Sequence, residues 1–196
     1  MDEIIIILLL IMLNGIFAMS EIAVIQARKT TLSNDEKKGN KGAKTALRLA
    51  NDPDRFLSTV QIGITLIGIL TGIYSGASIS GRFSDVFESL GMPERWAYPL
   101  AQGLIVIIVT YLTIVFGELV PKRIGMSVAE KASEIISRPM NFLSVIASPF
   151  VWILSKSTET IVNLLGVKDA ETKVTEEDIK SIVQEGKEDG EVQEVE

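Results

Sequence analysis

The sequence contains no cysteine and no histidine among its 196 residues. Without cysteine, the chain can form no disulfide, thiolate nucleophile or cysteine-based metal site. Without histidine, it lacks the commonest soft-metal ligand and the commonest general base. Any metal ion bound by these side chains would therefore be held by oxygen atoms, which suits Mg²⁺, Ca²⁺, Mn²⁺ or Na⁺.

Charge is absent from two long stretches, IIIILLLIML at residues 4–13 and LAQGLIVIIVTYLTIVF at residues 100–116. About 20 mostly apolar helical residues are needed to cross the ~30 Å hydrocarbon core of a bilayer. Residues 4–27 and 97–120 reach this length, and each range contains a single acidic residue as its only charge. Both ranges are predicted to span a membrane.

A further, less apolar span is predicted at residues 56–79, between the other two in the chain, and a loop is predicted at 80–96. Lysine and arginine are concentrated between residues 28 and 48, which places that segment in the cytoplasm by the positive-inside rule. The N-terminus is then expected outside and the C-terminus inside, in a plasma or inner membrane. The predicted fold class is an all-α integral membrane protein with three transmembrane helices and additional juxtamembrane or re-entrant amphipathic helices.

Gly68, Gly72 and Gly76 recur at every fourth residue of the second span and so share one helical face. Small residues at this spacing let another helix approach closely in lipid. The pattern therefore predicts a helix-packing face. A simpler interpretation is that glycine is more frequent in membrane helices in general.

Amphipathic helices are predicted at residues 42–51, 127–138 and 140–165, the last two separated by a proline. The apolar part of 140–165 is shorter than a typical span, which favours a position at the inner membrane surface over a fourth crossing. Residues 1–168 are thus predicted to form the transmembrane domain. Residues 169–196 are acidic and hydrophilic, and we expect them to be a linker toward a further domain.

Two glutamates, Glu21 and Glu118, lie inside predicted spans, and such residues usually face the bundle interior and mark functional sites. They precede the basic residues that end their spans by seven and four positions, which is about 10 Å and about 6 Å along a helix. Both carboxylates therefore fall in the cytoplasmic half, where polar residues of the second span also enter. The predicted metal site consists of Ser20, Glu21, Gln61, Thr65, Gly117 and Glu118, supported by Asn14, Thr59, Pro121 and Lys122.

Pro121 adds a backbone feature to this site. A proline inside a helix lacks an N–H and clashes with the carbonyl four residues earlier, which is that of Gly117. We expect this carbonyl to be released and directed at an ion, because irregular backbone within a membrane is tolerated where it lines a cavity.

The same residues also allow a purely structural interpretation. Glu21 would then only pair with Lys122 or Arg28, and Glu118 would be paired or lie at the interface. The hydroxyl groups would only bond backbone carbonyls, as is common in membrane bundles. This last alternative applies to Ser20, Thr59 and Thr65.

Three segments in order resemble the transmembrane domain of the CNNM/CorC family, formerly called hemolysin-C-like. They are NGIFAMSEIA at residues 14–23, TVQIGIT at 59–65 and GELVPKR at 117–123. The segment from Glu176 onward looks like the family's connector to cytoplasmic CBS modules, which are not part of this sequence.

The resemblance implies a homodimer with an acidic cavity that opens inward. It implies export of Mg²⁺ driven by Na⁺ entry, and ATP binding only in the CBS modules. The family's ion site falls on Ser20, Glu21, the polar residues of the second span, Gly117 and Glu118. Some relatives of this branch are linked to polyamine export.

Three functions are consistent with these observations: a Mg²⁺ transporter, a polyamine exporter, and a non-transporting membrane sensor that anchors a nucleotide-binding module. An enzyme is not expected, because no nucleophile–base constellation is present. The expected partners are the lipid bilayer, a second copy of the chain and a small cation. The chain has no basic face that would favour nucleic acid.

Overall fold

A computed structural model of the chain describes residues 2–75 and 79–166, whose regular structure is entirely helical. The predicted residue Gly76 and the linker 169–196 lie outside these described residues. In chain order the helices are α1 (Asp2–Gln26), α2 (Lys29–Lys37), α3 (Lys41–Asn51), α4 (Pro53–Tyr74), α5 (Ser80–Ser89), α6 (Glu94–Ile114), a π-helical turn (Val115–Leu119), α7 (Val120–Ser127) and α8 (Ala129–Leu164).

Three helical stretches in the described part are long and apolar enough to cross a membrane: Glu3–Gln26, Pro53–Tyr74 and Glu94–Ser127. The last of these comprises α6, the π turn and α7. The predicted all-α membrane fold with three spanning helices is therefore confirmed. The second and third spanning helices, α4 and α6, begin three residues earlier than expected. In α4, Pro53 has a backbone suited to the first helical turn. In α6, Glu94 complements the helix dipole at the N-terminus.

Two short helices, α2 and α5, form where a polar segment and a loop were expected. Within α5, the Ser84 hydroxyl lies 3.1 Å from a carboxylate oxygen of Glu88, one helical turn later. Side-chain pairs at this spacing stabilise a short helix by a few tenths of a kcal/mol.

The two amphipathic helices predicted at 127–138 and 140–165 are instead one continuous helix, α8, which contains Pro139 and Pro149. Pro149 removes the backbone donor for the carbonyl of Val145, four residues earlier. The Ser148 hydroxyl donates to that carbonyl at 2.8 Å instead. The predicted break lies at Pro139, and α8 continues through that residue as well. A proline alone is a poor indicator of a helix end, because other groups can satisfy the backbone that it frees in helices of membrane proteins.

The chain divides into two compact units, residues 1–153 and 154–196. The core of the first is built from side chains of α1, α4 and α8, including Phe17, Val24, Phe56, Val60 and Ile136. In the second unit, the described residues are the end of α8 and the two that follow. They include an ion pair between Lys156 and Glu159 at 3.0 Å.

Hydrogen bonds between polar side chains tie α8 to its neighbours in the first unit. The Ser144 hydroxyl donates to Thr59 Oγ1 at 3.0 Å, which joins α8 to α4. The Ser137 hydroxyl donates to the carbonyl oxygen of Gly42 at 3.0 Å, which joins α8 to α3. The juxtamembrane helix α3 is thus fixed to the long helix by a buried hydrogen bond.

Gly42 is the position where α3 comes closest to α8, and a Cβ there would collide with the carbonyl oxygen of Glu134. We expect Gly42→Ala to lower the free energy of unfolding by about 1–3 kcal/mol through overpacking, although alanine favours helix. Thermal unfolding in detergent, followed by circular dichroism, measures the change. The control is Gly103→Ala, whose Cβ would meet open space; an equal loss of stability in both variants would contradict this explanation.

Candidate cation site at the crossing of α1 and α7

Helix α1 crosses the π turn and α7 at very short range, with glycine at three of the contacts. A Cβ on Gly15 would lie 2.9 Å from Pro121 Cγ, and a Cβ on Gly125 would lie 2.6 Å from Ile22 Cγ2. A Cβ on Gly117 would lie 3.2 Å from the backbone of α1. Larger side chains at these positions would push the two helices apart.

The carbonyl of Gly117 is engaged by a side chain of α1. Asn14 Nδ2 donates to this oxygen at 2.8 Å in a buried hydrogen bond. In the surrounding π turn, the Val120 N–H reaches back five residues to the carbonyl of Val115. Pro121 has no N–H to offer, so Asn14 supplies the donor that Gly117 lacks. This carbonyl is therefore held by an amide group and does not point freely into a cavity.

Asn14 also presents an acceptor without a partner. It is 5% exposed, and its Oδ1 atom has no hydrogen-bond partner among the described residues. An unsatisfied buried oxygen is costly, which makes it a candidate contact for a water molecule, an ammonium group or a hydrated cation.

Glu21 and Glu118 converge on one ammonium group, that of Lys122. Lys122 Nζ lies 3.5 Å from Glu21 Oε2 and 3.0 Å from Glu118 Oε1. Glu118 and Lys122 are one helical turn apart, and α1 brings Glu21 to the same point. We refer to Glu21, Glu118 and Lys122 as the carboxylate–lysine cluster. Its two carboxylates and one ammonium leave a net negative charge on a surface of the membrane domain.

Asn14 and Glu21 lie on one face of α1. They are seven residues apart, which corresponds to about 10 Å along the helix axis. Gly117, whose carbonyl accepts from Asn14, is adjacent to Glu118 in the chain. The polar groups therefore extend along α1 from Asn14 to Glu21.

The hydroxyl of Ser20, a predicted ligand, and that of Thr59, a predicted supporting residue, instead bond to backbone carbonyls within their own helices. The Ser20 hydroxyl donates to the carbonyl of Ile16 in its own helix. The Thr59 hydroxyl donates to the carbonyl of Arg55 at 2.8 Å and accepts from Ser144. Ser20 nevertheless precedes Glu21 directly, whereas Thr59 is committed to the contact between α4 and α8.

The other α4 residues predicted at the site do not bond to the cluster within this chain. Gln61 and Thr65 are exposed and have no hydrogen bond to the described residues. Gly68 and Gly72 follow on the same helical face, and a Cβ on either would meet nothing within 4 Å. The predicted packing of these glycines on another helix is therefore not made inside the described part of the chain.

The structure thus joins Glu21, Glu118 and Lys122, and it joins Asn14 to Gly117, but it does not join Gln61 or Thr65 to either group. The described residues contain no group of three or more acidic side chains suited to a metal ion. Sequence reasoning missed the glycines that make the helix crossing. Gly117, Pro121 and Gly125 at four-residue spacing were the signal that could have revealed it.

Replacing Asn14 with alanine should leave the Gly117 carbonyl buried without a donor. We expect Asn14→Ala to lower the free energy of unfolding by about 1–3 kcal/mol, the typical penalty for an unsatisfied buried polar group. Thermal unfolding of the detergent-solubilised protein measures this loss. Met12→Ala, at an exposed position of the same helix, is the control, and comparable destabilisation of both variants would refute a specific role for the amide.

Comparison with known proteins places the chain among a group of membrane proteins. The model of the Cyclin M transmembrane N-terminal domain, CNNM, matches residues 4–196. UPF0053 protein sll0260 from Synechocystis sp. is 42% identical over 195 residues, which cover 99% of this chain and 44% of that protein. UPF0053 protein YhdT from Bacillus subtilis is 30% identical over 97% of this chain and 42% of its own length.

The Polyamine export protein of Escherichia coli strain K12 is 32% identical over 187 residues, which cover 95% of this chain and 42% of that protein. The chain therefore spans less than half the length of the curated relatives that it matches.

Proposed function

The chain belongs to the CNNM family, and from this premise we propose that it forms the membrane-spanning part of a cation transporter, with Mg²⁺ as the principal cargo. The observation that carries the proposal is the carboxylate–lysine cluster, in which two glutamates from different helices already hold one positive charge. A cargo cation would take the place of the Lys122 ammonium group.

The chemistry of the available donors favours a hard cation. They are the carboxylates of Glu21 and Glu118 and the amide oxygen of Asn14, all of which are oxygen ligands. Mg²⁺ dehydrates reluctantly and is usually bound through one or two carboxylates while it keeps several waters. Two carboxylates and an unpartnered amide oxygen beside α1 are consistent with the passage of a partly hydrated ion. Coupling to Na⁺ entry is part of the proposal on the strength of the family resemblance.

A polyamine is the second candidate cargo, favoured by a specific observation. The group now held between Glu21 and Glu118 is a primary ammonium, the same chemical group that a polyamine presents. Relatives in Escherichia coli and Haemophilus influenzae carry the name Polyamine export protein. The second polar position at Asn14, about 10 Å away along the helix, would suit a second amino group of an extended molecule.

We propose a plasma or inner membrane location with the N-terminus outside, because the basic segment between α1 and α4 is expected in the cytoplasm. Regulation by an ATP-binding CBS module beyond this chain is an expectation from the resemblance. If the membrane domain served only as an anchor for such a sensor, substitution of the carboxylates would not change cation flux.

Cation flux into proteoliposomes that contain the full chain tests the proposal. We expect Glu118→Gln to reduce Mg²⁺ flux by about tenfold or more, the scale of one lost charge-assisted contact. Addition of putrescine should leave Mg²⁺ flux unchanged if Mg²⁺ is the cargo, whereas flux of labelled putrescine that depends on Glu118 would identify the polyamine alternative.

The matched control is Glu159→Gln, which removes a carboxylate from an exposed ion pair of the same length elsewhere in the chain. Circular dichroism confirms that both variants fold. Mg²⁺ and putrescine fluxes that are the same in Glu118→Gln, Glu159→Gln and the parent would reject transport through this site.

We also propose that two copies associate through the outward face of α4. Gly68 and Gly72 lie on this face and line a groove of about 220 Å³ between α4 and α6. The hydroxyl oxygen of Thr113 in the same groove is buried without a partner among the described residues. Small residues and an unsatisfied hydroxyl are the features that support close association of helices in lipid.

The double substitution Gly68→Leu/Gly72→Leu should fill this groove and weaken self-association by about tenfold, the scale of one good contact between membrane helices. Light scattering coupled to size-exclusion chromatography in detergent measures the dimer fraction. Gly103→Leu adds the same bulk on α6 in open space and should not alter that fraction. A parent protein that is monomeric, or a double variant that dimerises as the parent does, would contradict the proposal.

A further inference from the structure

Two cavities meet where α3, α4 and α8 come together, outside the carboxylate–lysine cluster. Their volumes are about 490 Å³ and 310 Å³, and Arg48 and Asn141 line both of them. The smaller cavity is also lined by Asp52, Arg55 and Ser144. The two arginines stand at the end of α3 and in the first turn of α4, on either side of the bend between these helices.

Both guanidinium groups are positioned by α8 but are not neutralised. Arg48 donates to Asn141 Oδ1, and Arg55 Nη2 donates to the Ser144 carbonyl at 3.4 Å. Within residues 2–75 and 79–166, the ion pairs involve neither arginine. A guanidinium has five N–H donors in a planar fork that matches phosphate oxygens. Most donors of each group therefore remain available to an anion.

The charge of the smaller cavity favours an anion with a single charge. Arg48 and Arg55 contribute two positive charges, and Asp52 contributes one negative charge. A phosphodiester, which carries one negative charge, would balance this set. A phosphate monoester, with a charge near two, would be partly repelled by the Asp52 carboxylate.

An apolar surface begins at the edge of the same cavity. Val145 lines the cavity and is 57% exposed. Phe142, Ile146 and Phe150 are also exposed and extend this surface along one face of α8, at the spacing of an amphipathic helix. In a membrane protein such a face is suited to contact with acyl chains.

We propose that this cavity binds the phosphodiester headgroup of an anionic membrane phospholipid, with an acyl chain along the apolar face of α8. Arg48 and Arg55 contact the phosphate oxygens, and the Asn141 amide group is available as a further donor. A soluble phosphate shares the charge chemistry but has no chain to place on Val145 and its neighbours. The membrane lipid is therefore the occupant that satisfies both parts of the surface. The bound lipid would hold the bend between α3 and α4 against α8.

Native mass spectrometry of the full chain in detergent, titrated with phosphatidylglycerol, tests the proposal. We expect the double variant Arg48→Gln/Arg55→Gln to have an affinity for this lipid that is lower by about tenfold or more, because two charge-assisted contacts are lost. Phosphatidylcholine, which has no net charge, should bind the parent more weakly than phosphatidylglycerol. Arg123→Gln, which removes an exposed arginine outside the cavity, should bind phosphatidylglycerol as the parent does.

Competition distinguishes a lipid from a soluble anion. Inorganic phosphate and glycerol phosphate should fail to displace bound phosphatidylglycerol, and displacement by either at equal concentration would overturn the lipid assignment. If the double variant does not fold, as judged by circular dichroism, Arg48→Gln and Arg55→Gln are measured singly. Affinity for phosphatidylglycerol that is the same in the arginine variants and in Arg123→Gln would also overturn the proposal.

Discussion

The hydrogen bond from Asn14 to the carbonyl of Gly117 is the contact on which the membrane domain depends. Pro121 deprives this carbonyl of its helical donor, and a bare carbonyl inside a bilayer is strongly unfavourable. The amide of Asn14 resolves this problem only because the two helices approach closely at glycine. The same bond fixes the register between α1 and the third membrane helix, and that register places Glu21 beside Lys122.

Two other helix contacts in the described structure also contain a buried hydroxyl hydrogen bond. A hydroxyl of Ser144 bonds Thr59, and a hydroxyl of Ser137 bonds the backbone of Gly42. In lipid, apolar side chains gain little by leaving one helix surface for another, so small residues and polar contacts determine which helices pair. Within residues 1–153, hydrogen bonds thereby join α3 to α8 and α8 to the spanning helix α4.

Much of this architecture follows from local sequence. The three spans are evident from apolar runs with few charges, and the convergence of Glu21 and Glu118 follows from their shared position in the cytoplasmic half of their spans. The continuity of α8 through Pro139 could not be predicted, because a proline is tolerated inside a membrane-protein helix where other groups satisfy the backbone, as Ser148 does beside Pro149. The outward orientation of Gln61 and Thr65 was likewise hidden, since helical spacing gives the residues that share a face but not the direction in which that face points.

The position of Lys122 has a consequence for the electrostatics of the carboxylate–lysine cluster. Two glutamates facing a medium of low dielectric would repel each other and attract any stray cation. The ammonium group of Lys122, one helical turn from Glu118, competes with any such cation for the carboxylates. Its effective concentration is fixed by the helix and does not depend on the concentration of ions in solution. Under the proposed transport function, a cargo would displace this ammonium group by its higher valence or by a second amino group.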